Sequence, residues 1–111
     1  AWISSSRVFL DDICNKIGRR QYEFSKHAVD QMVTRDVSVA ELEEAFSSSS
    51  EMIEDYPDDK YGPSCLVLGF TGIGRPLHIQ CSYPTRPLVK IITAYEPDPV
   101  LWGDFRIRKQ S

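Results

Sequence analysis

In the stretch GIGRPLHIQCSY, His78, Gln80 and Ser82 alternate with Leu77, Ile79, Cys81 and Tyr83, and Arg75 stands just ahead of them. Successive side chains of an extended chain point to opposite faces, so an imidazole, an amide and a hydroxyl share one face opposite an apolar one. A second polar group lies upstream, where His27, Gln31 and Thr34 fall together on a helical wheel with Arg35 at its edge. Tyr95 ends a later apolar run. Histidine, with an ordinary pKa near ~6.5, can give or take a proton at neutral pH. Arginine supplies a fixed charge that matches phosphate oxygens. These types suit a reaction that needs no metal: a base activates a ribose 2′-hydroxyl, an acid protonates the leaving oxygen, and cations stabilise the phosphorane. Taken singly, each residue also fits as ordinary structure: His27 as a solvent-facing helix residue, Arg35 and Arg75 as surface cations, Tyr95 as a strand aromatic. Spacing alone leaves both readings open.

Other chemistries find less support. GIGRP contains G-x-G but no third glycine, no GK[ST] and no following helix, so it lacks an amide cradle for phosphate and reads as a hairpin turn. No G-x-S-x-G elbow is present. His27 and His78 are the only two histidines; without HxH or HxxxH spacing, neither a metal site nor a cofactor is expected. Cys14, Cys65 and Cys81 are odd in number and include no CxxC pair, which argues for reduced, buried thiols rather than a disulfide framework or a zinc site.

The elements that would carry these residues follow from periodicity. Leu10, Ile13, Cys14 and Ile17 have helical spacing, with Ser6 as a cap and Gly18 as a stop, so a helix is predicted over Ser6 to Ile17. RRQYEF gives a short extended link or strand. A second helix opens at Ser25 with Ala28, Val29, Met32 and Val33 as its apolar face. Ser38 and Glu41 form a capping box for a third, with Val37 and Leu42 as its hydrophobic staple and Val39, Leu42, Ala45 and Phe46 as its face. Then the period changes to two in EMIEDY, SCLVLGFT, PLHIQCSY and LVKIITAY, separated by PDDKYGP, GIGRP and PTRP. The expected fold is one α+β domain: N-terminal helices on one face of an antiparallel sheet of about four strands.

A chain of 111 residues is long enough to bury a core as one domain. No apolar run approaches the ~20 residues of a membrane span, and AWISSSR lacks the apolar core of a signal peptide, so a cytoplasmic location is expected. Residues 1–5 are expected to be disordered or an expression remnant, and the RIRK cluster at Arg106 to Lys109 to belong to a basic tail over 103–111. Net charge is −3. The acids crowd between Asp36 and Asp59, where no Lys or Arg occurs, while the span from Lys60 to Tyr95 carries Lys60, Arg75, Arg86 and Lys90 and no acid. One negative and one positive surface are therefore expected, the latter facing RNA.

Read in order, YEFSKHAVDQMVTRDVS, MIEDYPDD, GPSCLVLGFTGIGRPLHIQCSY and IITAYEPDPVLW resemble a family of small, mostly uncharacterised bacterial domains. That family is similar to the MqsR-type and BrnT-type toxins of the RelE and ParE superfold, and the resemblance runs from Tyr22 to Trp102. It implies a RelE/ParE-like ribonuclease toxin fold, metal-independent cleavage of single-stranded messenger RNA, and a silencing partner, an MqsA-type zinc-finger antitoxin. By position the family's marked residues fall on His27, Arg35, Arg75, His78, Thr93 and Tyr95. The resemblance gives proton transfer to His78 and His27, transition-state charge to Arg35 and Arg75, and a hydroxyl donor or stacking platform to Tyr95. Lys26, Gln31, Gln80, Arg86, Lys90 and Thr93 are the expected RNA contacts. Relatives often carry arginine where this chain has Gln31, so one phosphate contact is missing. That loss and the low basicity favour an alternative, a noncatalytic module that binds RNA or protein.

Overall fold

Helical periodicity in the first part of the chain and strand periodicity in the second sort it into two layers. The structure, a computed structural model, describes residues 2–47, 50–60 and 62–109. Three helices, α1 (Trp2–Gly18), α2 (Lys26–Thr34) and α3 (Val39–Ser47), are joined by a short strand, β1 (Tyr22–Phe24), between the first two. Then come β2 (Ser50–Tyr56), β3 (Ser64–Phe70), β4 (Pro76–Ser82), β5 (Val89–Tyr95) and two two-residue strands, β6 (Trp102–Gly103) and β7 (Ile107–Arg108). The main sheet has five strands in the order β1-β5-β4-β3-β2; β6 and β7 form a separate hairpin.

Local signals set most of these boundaries. The Ser25 hydroxyl accepts the Ala28 amide at 3.0 Å and caps α2. Ser38 and Glu41 exchange hydrogen bonds of 3.0 Å each, closing the capping box of α3. In GIGRP, Gly74 at φ 87° lets the chain fold back, with the Thr71 amide on the Arg75 carbonyl at 2.9 Å, so this is the turn between β3 and β4. Helix α1 begins before Ser6 and runs through it, so Ser6 is not its cap.

Two features depart from the expected layout. β1 adds a fifth strand and pairs parallel to β5, Tyr22 opposite Val89 and Phe24 opposite Ile91. Beyond Phe24 the edge of β5 has no strand beside it, and α2 takes that place. Its side toward β5 includes Gln31, whose Oε1 accepts the Ala94 amide at 3.1 Å. Ala28 and Met32 are buried as expected, whereas Val29 and Val33 are 46% and 78% exposed. The helix is thus rotated from its predicted apolar face, because an unpaired backbone amide needs an acceptor and Gln31 supplies one.

The sheet has two unlike faces. Against the helices lie Cys65, Val67, Leu77, Ile79, Cys81, Val89, Ile91 and Ala94, packed with Ile13, Ile17, Met32, Leu42 and Phe46. Burying such an aliphatic side chain contributes about 1.5–3 kcal/mol. A Cβ at Gly69 would stand 2.2 Å from the Ala45 carbonyl oxygen, so α3 rests directly on the β3 backbone. The cysteines, far apart in sequence, meet here: Cys65 and Cys81 are opposite each other on β3 and β4, and Cys14 lies near. All three are free thiols. A hydrogen bond with Cys65, together with burial, pushes the Cys81 thiol well above its ordinary value. None of the described helices is long and apolar enough to cross a membrane.

The second face is also closed to water at its centre. Leu66, Leu68, His78 and Ser82 are buried there. The segment expected as a basic tail folds instead into the β6–β7 hairpin and lies over this face, with Trp102 buried.

Candidate functional site

Strand alternation turns His78 away from the helices, and register places Tyr95 of β5 directly opposite it. The His78 Nδ1 is 3.2 Å from the Tyr95 hydroxyl, and its Nε2 is 2.6 Å from the Phe105 carbonyl. A carbonyl only accepts, so Nε2 carries the hydrogen and Nδ1 accepts from Tyr95. The Trp102 indole meets the imidazole edge-on, centroids 4.4 Å apart. Burial lowers the His78 pKa, outweighing the opposing pull of the Phe105 carbonyl and Glu54. Burial raises that of Tyr95, with Glu54 adding to the effect and Arg108 and Arg35 opposing it. Near neutrality the pair is a neutral imidazole whose Nδ1 accepts from a protonated phenol.

Charges gather beside this pair. Glu54 receives a two-pronged bond from Arg108, Nε to Oε2 at 2.9 Å and Nη2 to Oε1 at 3.2 Å, and a further one from the Tyr56 hydroxyl. Burial pushes the Glu54 carboxyl up, but the bonds from Arg108 and Tyr56 win and leave it below its ordinary value. Burial and Glu54 push Tyr56 up to about 12. The Arg108 guanidinium lies over the Trp102 ring, 4.8 Å from its centroid. Sequence reasoning missed Glu54, Tyr56, Trp102 and Arg108. The alternation in EMIEDY places Glu54 and Tyr56 on one strand face and could have flagged them. Nothing local marks Arg108, whose place depends on the chain folding back.

The expected site residues divide into three groups. His78 and Tyr95 touch, and Arg35, an exposed residue at the end of α2, is close enough for its charge to act on Tyr95. Arg75 is a brace. Four donor contacts run from it: Nε to Glu96 at 2.7 Å, Nη1 to Glu41 at 2.9 Å and to the Asp36 carbonyl at 2.8 Å, and Nη2 to the Arg35 carbonyl at 3.1 Å. These tie the α2–α3 turn, the start of α3 and the end of β5 together, and hold the backbone of Arg35. His27 is exposed in the first turn of α2 and has no bond to the His78–Tyr95 pair.

The expected RNA contacts are scattered as well. Lys26 and Arg86 are exposed, while Lys90 and Thr93 are half-buried on β5. Gln80 is opposite Thr93 and donates to the Ser64 hydroxyl at 3.1 Å. Gln31 is occupied with Ala94. Part of the acidic span is neutralised by arginines. Glu41 pairs with Arg75, Glu51 with Arg106 at 2.8 Å and Glu54 with Arg108, because folding brings the acidic strand β2 beneath the basic hairpin. Among the described residues no group of three or more His, Cys, Asp or Glu is placed to hold a metal ion. Away from His78, an apolar groove of about 450 Å³ opens between α2 and α3, lined by Phe24, Val29, Met32, Val33 and Val39 with Asp36 alongside.

A family model matches residues 24–96, and its description is a domain of unknown function (DUF4258). The matched span holds His27, Arg35, Glu54, Arg75, His78 and Tyr95 and stops short of the hairpin. No curated protein and no solved structure matches the chain.

Proposed function

The chain belongs to the DUF4258 family, and from that premise we propose that it is a metal-independent endoribonuclease with a RelE/ParE-like fold, the toxin of a toxin–antitoxin pair. The observation that carries this reading is the 3.2 Å contact between His78 and Tyr95 on a sheet face that also gathers Glu54 and Arg108, with the Arg35 charge at the end of α2 acting on Tyr95. Nδ1 of His78 takes the 2′-hydroxyl proton, directly or through Tyr95, and the 2′-oxygen attacks phosphorus. The bond from phosphorus to the 5′-oxygen breaks, and the imidazolium returns its proton to that leaving oxygen. A 2′,3′-cyclic phosphate and a 5′-hydroxyl result. Arg108 and Arg35 are the cations for the nonbridging oxygens. One histidine acts as base and then as acid, which leaves His27 outside the reaction. The silencing partner is an MqsA-type zinc-finger antitoxin, and the neighbouring gene should encode a small CxxC-containing protein.

The test is incubation of the partner-free chain with single-stranded RNA in EDTA. We expect cyclic-phosphate ends, intact DNA of the same sequence, and a loss of about 10²-fold or more in His78→Gln. A requirement for divalent metal, or equal cleavage of DNA, sinks the mechanism. A second reading, a noncatalytic interaction module, is favoured by the apolar groove with its exposed Val29, Val33 and Val39. It predicts RNA or protein binding with no cleavage under any condition.

A further inference from the structure

His78 is 0% exposed, so a substrate reaches it only if something moves, and the hairpin is what covers it. We propose that the β6–β7 hairpin is a releasable lid over the His78–Tyr95 pair, held shut by arginine–carboxylate pairs that a phosphate backbone can take over. The identity of the incoming polymer rests on the ribonuclease reading; the lid itself does not.

Four observations support it. The hairpin shares no strand pairing with the main sheet, and its own ladder has two residue pairs, Trp102 with Arg108 and Gly103 with Ile107. A two-stranded ribbon of that size is not stable alone, so its position depends on side-chain attachments. Those attachments are few and directional: the Phe105 carbonyl on His78, the Trp102 ring, Arg106 on Glu51 and Arg108 on Glu54. Both ion pairs are reached by water, with the Arg108 side chain 63% exposed, and such pairs are weak and screened by salt.

The turn itself is conformationally costly. Asp104 and Phe105 have φ of 53° and 60°, the left-handed region that a bulky residue such as Phe seldom adopts. That conformation presents the Phe105 carbonyl to His78, so releasing the contact lets the turn relax. Leu101, just ahead of the hairpin, and Ile107 within it are exposed, so their side chains add little apolar burial that would hold it down. Arginine binds phosphate with the same two-pronged geometry it uses for carboxylate, so an RNA backbone competes directly with Glu51 and Glu54 for Arg106 and Arg108. Loss of those pairs leaves the Phe105 carbonyl and the Trp102 ring as attachments, so the lid opens more readily, and it moves two cations onto the incoming strand.

The experiment uses the intact chain and does not depend on cleavage. Amide hydrogen exchange is followed from about 50 mM to about 1 M NaCl. In parallel, diethyl pyrocarbonate labels neutral imidazoles, with exposed His27 as the internal reference. Exchange over residues 102–109 should rise about tenfold with salt while the amides of Val67 and Ile79 in the core strands stay fixed. Arg106→Gln with Arg108→Gln should produce the same opening at low salt and raise His78 labelling about tenfold relative to His27. Uncleavable 2′-O-methyl RNA should open the hairpin of the unaltered chain. Hairpin exchange that follows the core strands at every salt concentration overturns the lid, and so does a folded double variant with His78 still protected. If the double variant unfolds, the salt series on the unaltered chain decides. Opening without RNA cleavage keeps the lid and removes the ribonuclease reading; cleavage with His78 and the hairpin amides protected does the reverse.

Discussion

On the helix side of the sheet, Val67, Leu77, Ile79 and Ile91 meet Ile13, Ile17, Leu42 and Phe46 over a continuous apolar surface. On the other side Leu66 and Leu68 are joined by His78, Tyr95, Glu54 and Arg108 beneath a seven-residue stretch, 102–108. The first face excludes water through area, which has no direction and is lost only when the domain comes apart. The second has a smaller apolar cover, Trp102 together with Leu66 and Leu68, and adds a handful of oriented contacts between polar groups, which can be exchanged one at a time for contacts with a ligand. The two faces of one sheet are therefore held by different kinds of contact. Damage on the helix side should be structural; damage on the hairpin side should change pH dependence and reactivity first.

The strongest way to break this comparison is at Gly69. Gly69→Ala drives a methyl group into the Ala45 carbonyl, so α3 must lift from the sheet. A loss of about 3 kcal/mol in urea unfolding is expected. If the variant is as stable as the parent, α3 does not rest on β3 as described. A smaller effect is expected at Arg75, which works as a brace between layers. Arg75→Ala leaves two carboxylates and two carbonyls without their donor and should cost about 1–2 kcal/mol. If the only effect of Arg75→Ala is on RNA cleavage, with unfolding unchanged, the arginine is a reaction cation and not a brace.

The hairpin side should show its difference through pH. Because burial lowers the His78 pKa in the folded chain, the unfolded chain binds its proton first as pH falls below about 6.5. The stability that neutral His78 contributes is complete above that value and is lost progressively toward the folded pKa. The slope is at most one proton, about 1.4 kcal/mol per pH unit. Glu41 and Glu54, both lowered, add losses only at more acidic pH. Unfolding measured between pH 5 and 7 should therefore show a slope that His78→Gln abolishes. A parent and variant with parallel pH curves would mean that His78 is solvated and the second face is not closed.

Much of the fold was legible because its signals are short-range. A serine hydroxyl and the amide three residues on, a capping box, a Gly in a turn and an alternating run are all decided within a few residues, so the starts of α2 and α3, strands β2 to β5 and the GIGRP turn could be read directly. The candidate site was legible in part. His78 and Tyr95 stand out by type, but alternation from the buried Val89 and Ile91 would put Tyr95 on the helix side, and it is the irregularity between Ile91 and Thr93 that turns it to the face of His78. Their contact required the register between β4 and β5.

What the amino-acid order determined by itself was the inventory: two polar constellations, four long strands, two capped helices, three thiols and clusters of opposite charge. Tertiary structure decided who meets whom. It put β1 parallel to β5, turned Gln31 toward an open strand edge, and committed Arg75 to four bonds in place of an open surface. Far-apart cysteines were brought together in one core, and the acidic strand was set beneath the basic hairpin. Each of these depends on pairings between segments distant along the chain, whose closure is driven by the burial of the whole sheet and leaves no mark in a local pattern. His78 is the clearest case, because its alternation predicts the face it points to, while the loop that covers that face lies more than twenty residues further on.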